Sequence, residues 1–202
     1  MPAGTRLATV RGDARSILSV ERLALNLLGQ LSGVASATRA LVDRIDGTRA
    51  RIIDTRKTVP LMRELQKMAV VAGGGGNHRM GLYDQVLIKD NHIEAVGSPA
   101  EAVRRARVHV GDDMTVEVEI ERLEDLESVI EAGADVVMLD NMAPDVMRQA
   151  VERANGRVLL EASGGITHQT IRAVAESGVD LISVGALTHS SPSLDVALDF
   201  ES

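Results

Sequence analysis

Residues 116–140 read Val116-Glu117-Val118-Glu119-Ile120, then a helical stretch near 122–133 closing on Gly133, then Val136-Val137-Met138-Leu139-Asp140. An apolar β-branched run, an amphipathic stretch and a second apolar run form the pattern of a βαβ unit. The rhythm continues in both directions. Upstream lie Ile52-Ile53 and Val86-Leu87-Ile88; downstream lie Val158-Leu159-Leu160 and Leu181-Ile182-Ser183-Val184. Helical spacing fills 61–72, 98–109, 144–154 and 167–177 between them. Gly111, Gly133, Gly156 and Gly178 follow the later helices, where a helix stop is expected. Such alternation implies parallel strands joined by right-handed crossovers, in an open doubly wound sheet or a barrel. No glycine fingerprint follows the first strand, which weakens the dinucleotide-fold reading.

The strand ends favour a barrel. They carry Arg56-Lys57, Lys89, Glu119, Asp140-Asn141, Ser163-Gly164-Gly165 and Gly185. Strands commonly exit into polar loops, so each alone means little. Six in phase would be gathered on the C-terminal face of a barrel, where such folds work. Two of these ends have the character of a phosphate cradle: Glu161-Ala162-Ser163-Gly164-Gly165-Ile166, with Thr167 as candidate N-cap, and Val184-Gly185-Ala186-Leu187-Thr188-His189. Glycine lets backbone N–H groups approach an anion, and a following helix start adds partial positive charge. Glu119 and Asp140 end neighbouring strands. Two readings stand for them: joint ligands for Mg²⁺ with substrate oxygens, or counter-charges to Lys57 and Lys89. His78 and His92 lack the spacing of a zinc site.

Five potential cations, Arg56, Lys57, His78, Arg79 and Lys89, sit at loop-like positions in a chain of net charge -7. That arrangement aims positive charge at a small anionic ligand. The run Gly73–Gly76 reads as a mobile lid or a linker. The acidic balance disfavours nucleic acid and anionic membrane. Tyr83 and Phe200 are the only aromatics, so there are no stacking platforms for bases. The absence of cysteine excludes disulfides, thiolate metal sites and a thiol nucleophile. No run is long and apolar enough for a membrane helix, and a cytoplasmic protein is the default.

The first residues are less regular. Arg6–Gly12 alternates like a short strand, and 16–44 has helical spacing through Leu18, Leu25, Leu28, Leu31 and Val34. Gly29 and Ser32-Gly33 mark a kink or close packing.

Several blocks together resemble the signatures of the quinolinate phosphoribosyltransferase family, the carboxylating nicotinate-nucleotide pyrophosphorylases. They are Asp54-Thr55-Arg56-Lys57-Thr58, Gly73-Gly74-Gly75 with Asn77-His78-Arg79, and Leu87-Ile88-Lys89-Asp90-Asn91-His92. Glu21-Arg22, Val118-Glu119, Leu139-Asp140-Asn141, Glu161–Gly165 and Val184–His189 match in order, so the resemblance covers nearly the whole chain. It implies an α/β fold: an incomplete TIM-like α/β barrel over 16–202. Residues 1–15 would be a remnant of an N-terminal α/β sandwich domain, to which the last residues return. It also implies transfer of phosphoribose from phosphoribosyl pyrophosphate to quinolinate with loss of CO₂, in de novo NAD synthesis, with Mg²⁺ and as a homodimer.

By the same resemblance, Arg22 (from the partner subunit), Arg56, His78, Arg79 and Lys89 would hold quinolinate. Lys57 would stand near both substrates. Lys57, Lys89, Glu119 and Asp140 form the implied catalytic set, with Glu119 and Asp140 on the metal. Ser163, Gly164, Gly165, Gly185 and His189 would cradle the 5-phosphate. The alternatives are a paralogous transferase for another acidic base and a shortened, non-catalytic barrel.

Overall fold

The last strand of the sheet pairs with the first, and that pairing decides between barrel and open sheet. The computed structural model describes residues 2–200. Its strands are β1 (Arg51–Ile53), β2 (Val86–Ile88), β3 (Val116–Ile120), β4 (Val136–Asp140), β5 (Leu159–Ser163) and β6 (Leu181–Ser183). All pairings are parallel, in the order β1-β6-β5-β4-β3-β2. Strands β2 to β6 are neighbours in sequence order, and β6 then lies beside β1. A doubly wound sheet reverses its winding partway and cannot do this. The result is a barrel left open between β1 and β2, as expected. The free edge of β1 is partly covered by Gly76, whose N–H donates to the Ile52 carbonyl at 2.8 Å.

The helices are α1 (Ala14–Arg44), α2 (Arg63–Ala72), α3 (Asp90–Val96), α4 (Pro99–Val110), α5 (Leu126–Glu131), α6 (Pro144–Ala154), α7 (Ile171–Glu176) and α8 (Ala186–His189). Local chemistry sets their starts. The Asp13 carboxylate accepts from the Ser16 N–H at 2.9 Å. Ser98 caps α4 by accepting from the Glu101 N–H, with Pro99 in the first turn.

Alternation sorts each strand into two faces. Val116, Val118, Ile120, Val137, Leu139, Leu160, Ala162, Ile182 and Val184 join the helices in one aliphatic core. Each valine, leucine or isoleucine among them contributes about 1.5–3 kcal/mol by leaving water. The opposite face carries Lys89, Glu117, Glu119, Asp140, Glu161, Ser163 and Ser183, and the barrel folds it inward.

α1 is continuous, so its glycines serve packing and not a kink. A Cβ on Gly33 would lie 2.0 Å from the Pro192 carbonyl oxygen, and one on Gly29 would lie 2.6 Å from that of Leu194. The C-terminal segment thus runs against α1, with the Leu194 N–H donating to Gly29 at 3.0 Å. The glycine run at 73–76 is likewise a packed turn. A Cβ on Gly73 would sit 2.4 Å from the Ala35 carbonyl oxygen, which leaves no room for a lid or a loose linker. The strand expected over Arg6–Gly12 does not form: these residues are exposed and pair with neither β1 nor β2, the two edges of the sheet.

Candidate active site

The β3 and β2 ladders bring the first charged pair together. Val86 lies opposite Val116 and Ile88 opposite Val118, so the next residues, Lys89 and Glu119, meet. The Lys89 Nζ donates to Glu119 Oε2 at 3.0 Å. On β4 and β5 the same register sets Asp140 opposite Ser163. The Asn141 N–H donates to the Ser163 carbonyl at 2.9 Å, joining the two loops. Gly164 closes this turn at φ +90°, and a Cβ there would overlap the Asn141 side chain at 2.1 Å. Only glycine fits both conditions.

A second group forms where β1 and β6 end. Around Gly185 stand Lys57, Thr55 and His189: a Cβ there would lie 3.1 Å from Lys57 Cδ and 3.4 Å from both His189 Nε2 and Thr55 Oγ1. The Thr188 hydroxyl ties the loops by donating to the Lys57 carbonyl at 2.8 Å. Of the residues expected to cradle a phosphate, Gly185 and His189 are thus neighbours, with Lys57 against them and α8 starting directly after Gly185. At β5 the helix begins later than expected, at Ile171. Thr167 and Thr170 bond to each other and to nearby backbone, which forms a turn in place of the first helical turn. The Ser163–Gly165 turn therefore depends on its own backbone, not on a helix start.

The cations of the third group are crowded. Burial and then the neighbouring Arg56 guanidinium press the Arg79 pKa below the ordinary arginine range. The Arg56 Nε is buried and has no hydrogen-bond partner. Two neighbouring guanidinium charges, one with an unspent buried donor, favour a bound anion. Arg22 stands apart on α1, exposed, with its ion pair to Glu21 at 3.9 Å.

His78 sits beneath this group. Its Nδ1 accepts from the Arg79 N–H at 2.6 Å. Its proton therefore lies on Nε2, which faces Glu117 Oε2 at 3.1 Å and Glu161 Oε2 at 3.7 Å. Both ring nitrogens are engaged within the protein. The main chain is held as well: the His78 N–H donates to Asp54 at 2.9 Å and its carbonyl accepts from Lys67 at 2.8 Å.

The sequence reading gave no role to Glu117, Glu161, Gln85 or Lys67. The Gln85 Nε2 donates to Glu117 at 2.6 Å. Burial first, and the Glu117 charge second, push the Glu161 carboxyl well above the ordinary carboxylate range. The signal for both glutamates was period two: Glu117 precedes Glu119, and Glu161 precedes Ser163, by one repeat on the inward face. His78, Glu117 and Glu161 bring ligand atoms within 4.8 Å of one another. Glu119 and Asp140 suit a different ion. They are hard oxygen donors on adjacent strands, few enough to leave most positions to water and phosphate, which is the habit of Mg²⁺.

Fold and site define a class: β/α-barrel proteins whose C-terminal mouth gathers cations, glycine turns and a pair of carboxylates. The comparisons narrow it. The family model for the quinolinate phosphoribosyl transferase C-terminal domain matches residues 34–199. A Bacillus subtilis protein named "Probable nicotinate-nucleotide pyrophosphorylase (carboxylating)" is 49% identical over 196 residues, spanning 97% of this chain and 68% of its own length. Its Mycobacterium leprae counterpart, a carboxylating nicotinate-nucleotide pyrophosphorylase, is 46% identical over 98% of this chain and 71% of its own. The crystal structure of NadC from Streptococcus pyogenes superposes with TM-score 0.88 at 46% identity, covering 91% of this chain and 65% of that one. The chain belongs to the quinolinate phosphoribosyltransferase family, and it spans about two thirds of the length of these relatives.

Proposed function

We infer that this chain transfers phosphoribose from phosphoribosyl pyrophosphate to the ring nitrogen of quinolinate, releasing pyrophosphate and CO₂ and leaving nicotinate mononucleotide. The carrying observation is the Arg56 Nε, buried and without a hydrogen-bond partner among the described residues, with Arg79 near enough for the two charges to act on each other. Quinolinate is a planar dianion, and paired guanidiniums recognise carboxylates bidentately. Lys57, Gly185 and His189 receive a phosphate of the donor, where a lysine acts as a point charge and glycine admits close approach.

Holding the two substrates in register accounts for much of the barrier, since the bond to be made joins two bound molecules. Lys57 stands where it can meet negative charge as the pyrophosphate departs, in a hollow whose groups need not reorganise. Glu119, held by Lys89, and Asp140 would take ribose hydroxyls and Mg²⁺. When bound, that ion offsets the leaving-group charge. Decarboxylation follows from the electron demand of the ribosylated ring, so no general base is required.

A homodimer is part of this proposal. Arg22, exposed on α1, would serve a neighbour's site, and Leu18, Val20, Leu23 and Leu28 expose apolar surface along the same helix. The setting we assign is the cytoplasm.

The test is nicotinate mononucleotide formation from quinolinate, phosphoribosyl pyrophosphate and Mg²⁺, with Lys57→Ala alongside. Turnover in the wild type that falls by about 100-fold or more in the variant is expected. A variant as active as the parent would remove Lys57 from the mechanism.

A further inference from the structure

One face of α2 holds two loops and the short helix α8 by side-chain hydrogen bonds. Arg63, Gln66 and Lys67 lie three and four residues apart and share that face. Arg63 donates to the Met80 carbonyl at 3.0 Å and to Thr58 Oγ1 at 3.1 Å. The Gln66 side chain accepts from the Val59 N–H at 2.9 Å and donates to the Thr188 carbonyl at 2.6 Å. The Lys67 ammonium donates to the Asp54 carboxylate and to the His78 carbonyl. Lys67 and Asp54 are both 0% exposed.

We propose that Lys67 is a positioning residue for the acid-binding half of the site: through Asp54 and the main chain of His78 it fixes the spacing of Arg56 and Arg79. Asp54 lies two residues before Arg56 and three before Lys57. It accepts from Lys67, and also from the His78 N–H at 2.9 Å. Lys67 then takes the His78 carbonyl. One buried ion pair therefore holds both polar atoms of the His78 backbone, and Arg79 is the next residue. The loop bearing Arg56 follows β1, and the loop bearing Arg79 leaves α2, passes the β1 edge at Gly76 and leads to β2; this pair ties the two loops beyond that bridge. Buried ion pairs add little net stability compared with apolar packing. This one sets a distance that a ligand with two carboxylates must match. The choice of ligand rests on the transferase reading above; the positioning itself does not.

Two variants separate position from stability. Lys67→Met leaves Asp54 buried, charged and unpaired, the most costly way to break such a pair. Lys67→Met combined with Asp54→Asn removes that charge and keeps an acceptor for the His78 N–H, yet leaves the His78 carbonyl without its anchor. The experiment combines amide hydrogen exchange over residues 77–80 with steady-state kinetics on the full chain. The double variant should melt close to the wild type while these amides exchange about tenfold faster. Its KM for quinolinate should rise roughly 10- to 100-fold, with that for phosphoribosyl pyrophosphate little changed.

Wild-type exchange over 77–80 in the double variant overturns the proposal, whatever the kinetics. Equal rises in both KM values overturn it too, since they mark general loosening. If the wild type itself shows no turnover, the reading of the reaction fails, and the exchange data still judge Lys67.

Discussion

Replacing Gly185 by alanine should separate phosphate binding from stability. Gly185 has φ -63° and ψ -31°, ordinary right-handed helical values, and it begins α8. Alanine adopts these angles without strain and loses less entropy on folding, a gain of about 0.4–1 kcal/mol. Against this, the new methyl would lie 3.1 Å from Lys57 Cδ, so the lysine stem must move by a few tenths of an ångström. Its other neighbours, His189 Nε2 and Thr55 Oγ1, are at ordinary contact distance, 3.4 Å. Stability should therefore be unchanged or slightly higher, and the melting temperature within about 4 °C of the parent.

Binding should behave otherwise. A phosphate oxygen approaches a backbone N–H to about 2.9 Å, whereas a methyl carbon holds heavy atoms off to roughly 3.5–4.0 Å. The ligand is displaced by about 0.5–1 Å, which costs a charge-assisted hydrogen bond worth about 1.5–3 kcal/mol, or roughly 10- to 100-fold in affinity. Calorimetric titration with phosphoribosyl pyrophosphate, beside a thermal melt, reads both quantities. Unchanged affinity in a folded Gly185→Ala protein would refute the placement of the phosphate between Lys57 and His189.

Two further predictions address the interior and the glycine turn. The folded state keeps a proton on Glu161 that the unfolded chain releases above its ordinary value of 4.5. The stability this contributes is complete below that pH and drains away as pH rises through the elevated folded value, by at most about 1.4 kcal/mol per pH unit. Glu161→Gln mimics the protonated group, so urea unfolding across that window should show a flatter slope; a slope equal to the wild type's would count against the raised carboxyl. Gly73→Ala drives a methyl into the Ala35 carbonyl and Thr38, at 2.4 and 2.7 Å. It should cost about 1–3 kcal/mol by overpacking α1 against α2, measured by chemical denaturation, whereas a mobile segment would show no loss.

The barrel was legible because its outward-facing residues are uniformly aliphatic and recur with fixed period. Val116–Ile120 and Val136–Asp140 left little choice of element, and the polar residues at six strand ends pointed to one working face. What escaped was whatever depends on closure. Glu117 and Glu161 alternate with apolar residues on their strands, and only a sheet curved onto itself makes them buried neighbours of His78. Lys67 looks like one more surface lysine until Asp54, thirteen residues earlier, arrives beside it. The segments α3 and α8 are short, and their motif residues, Lys89–His92 and Gly185–His189, drew attention as chemistry before structure. His92 in fact stabilises the start of α3, its Nδ1 accepting from the Lys89 N–H at 3.0 Å. The Arg6–Gly12 alternation had the pattern of a strand, but the segment joins neither edge of the sheet. The resemblance assigns His78 to the substrate; in this structure its two nitrogens meet the Arg79 N–H and the Glu117 carboxylate, contacts no sequence pattern announced.

The most direct test of the central claim is a carbon balance. Quinolinate labelled in its C2 carboxylate is incubated with phosphoribosyl pyrophosphate, Mg²⁺ and this chain, and labelled CO₂, nicotinate mononucleotide and pyrophosphate are counted together. The account predicts equal amounts of all three, appearing at one rate and abolished by omitting the phosphoribosyl donor. Pyrophosphate release without labelled CO₂, or no product from a folded chain that binds both substrates, would contradict it.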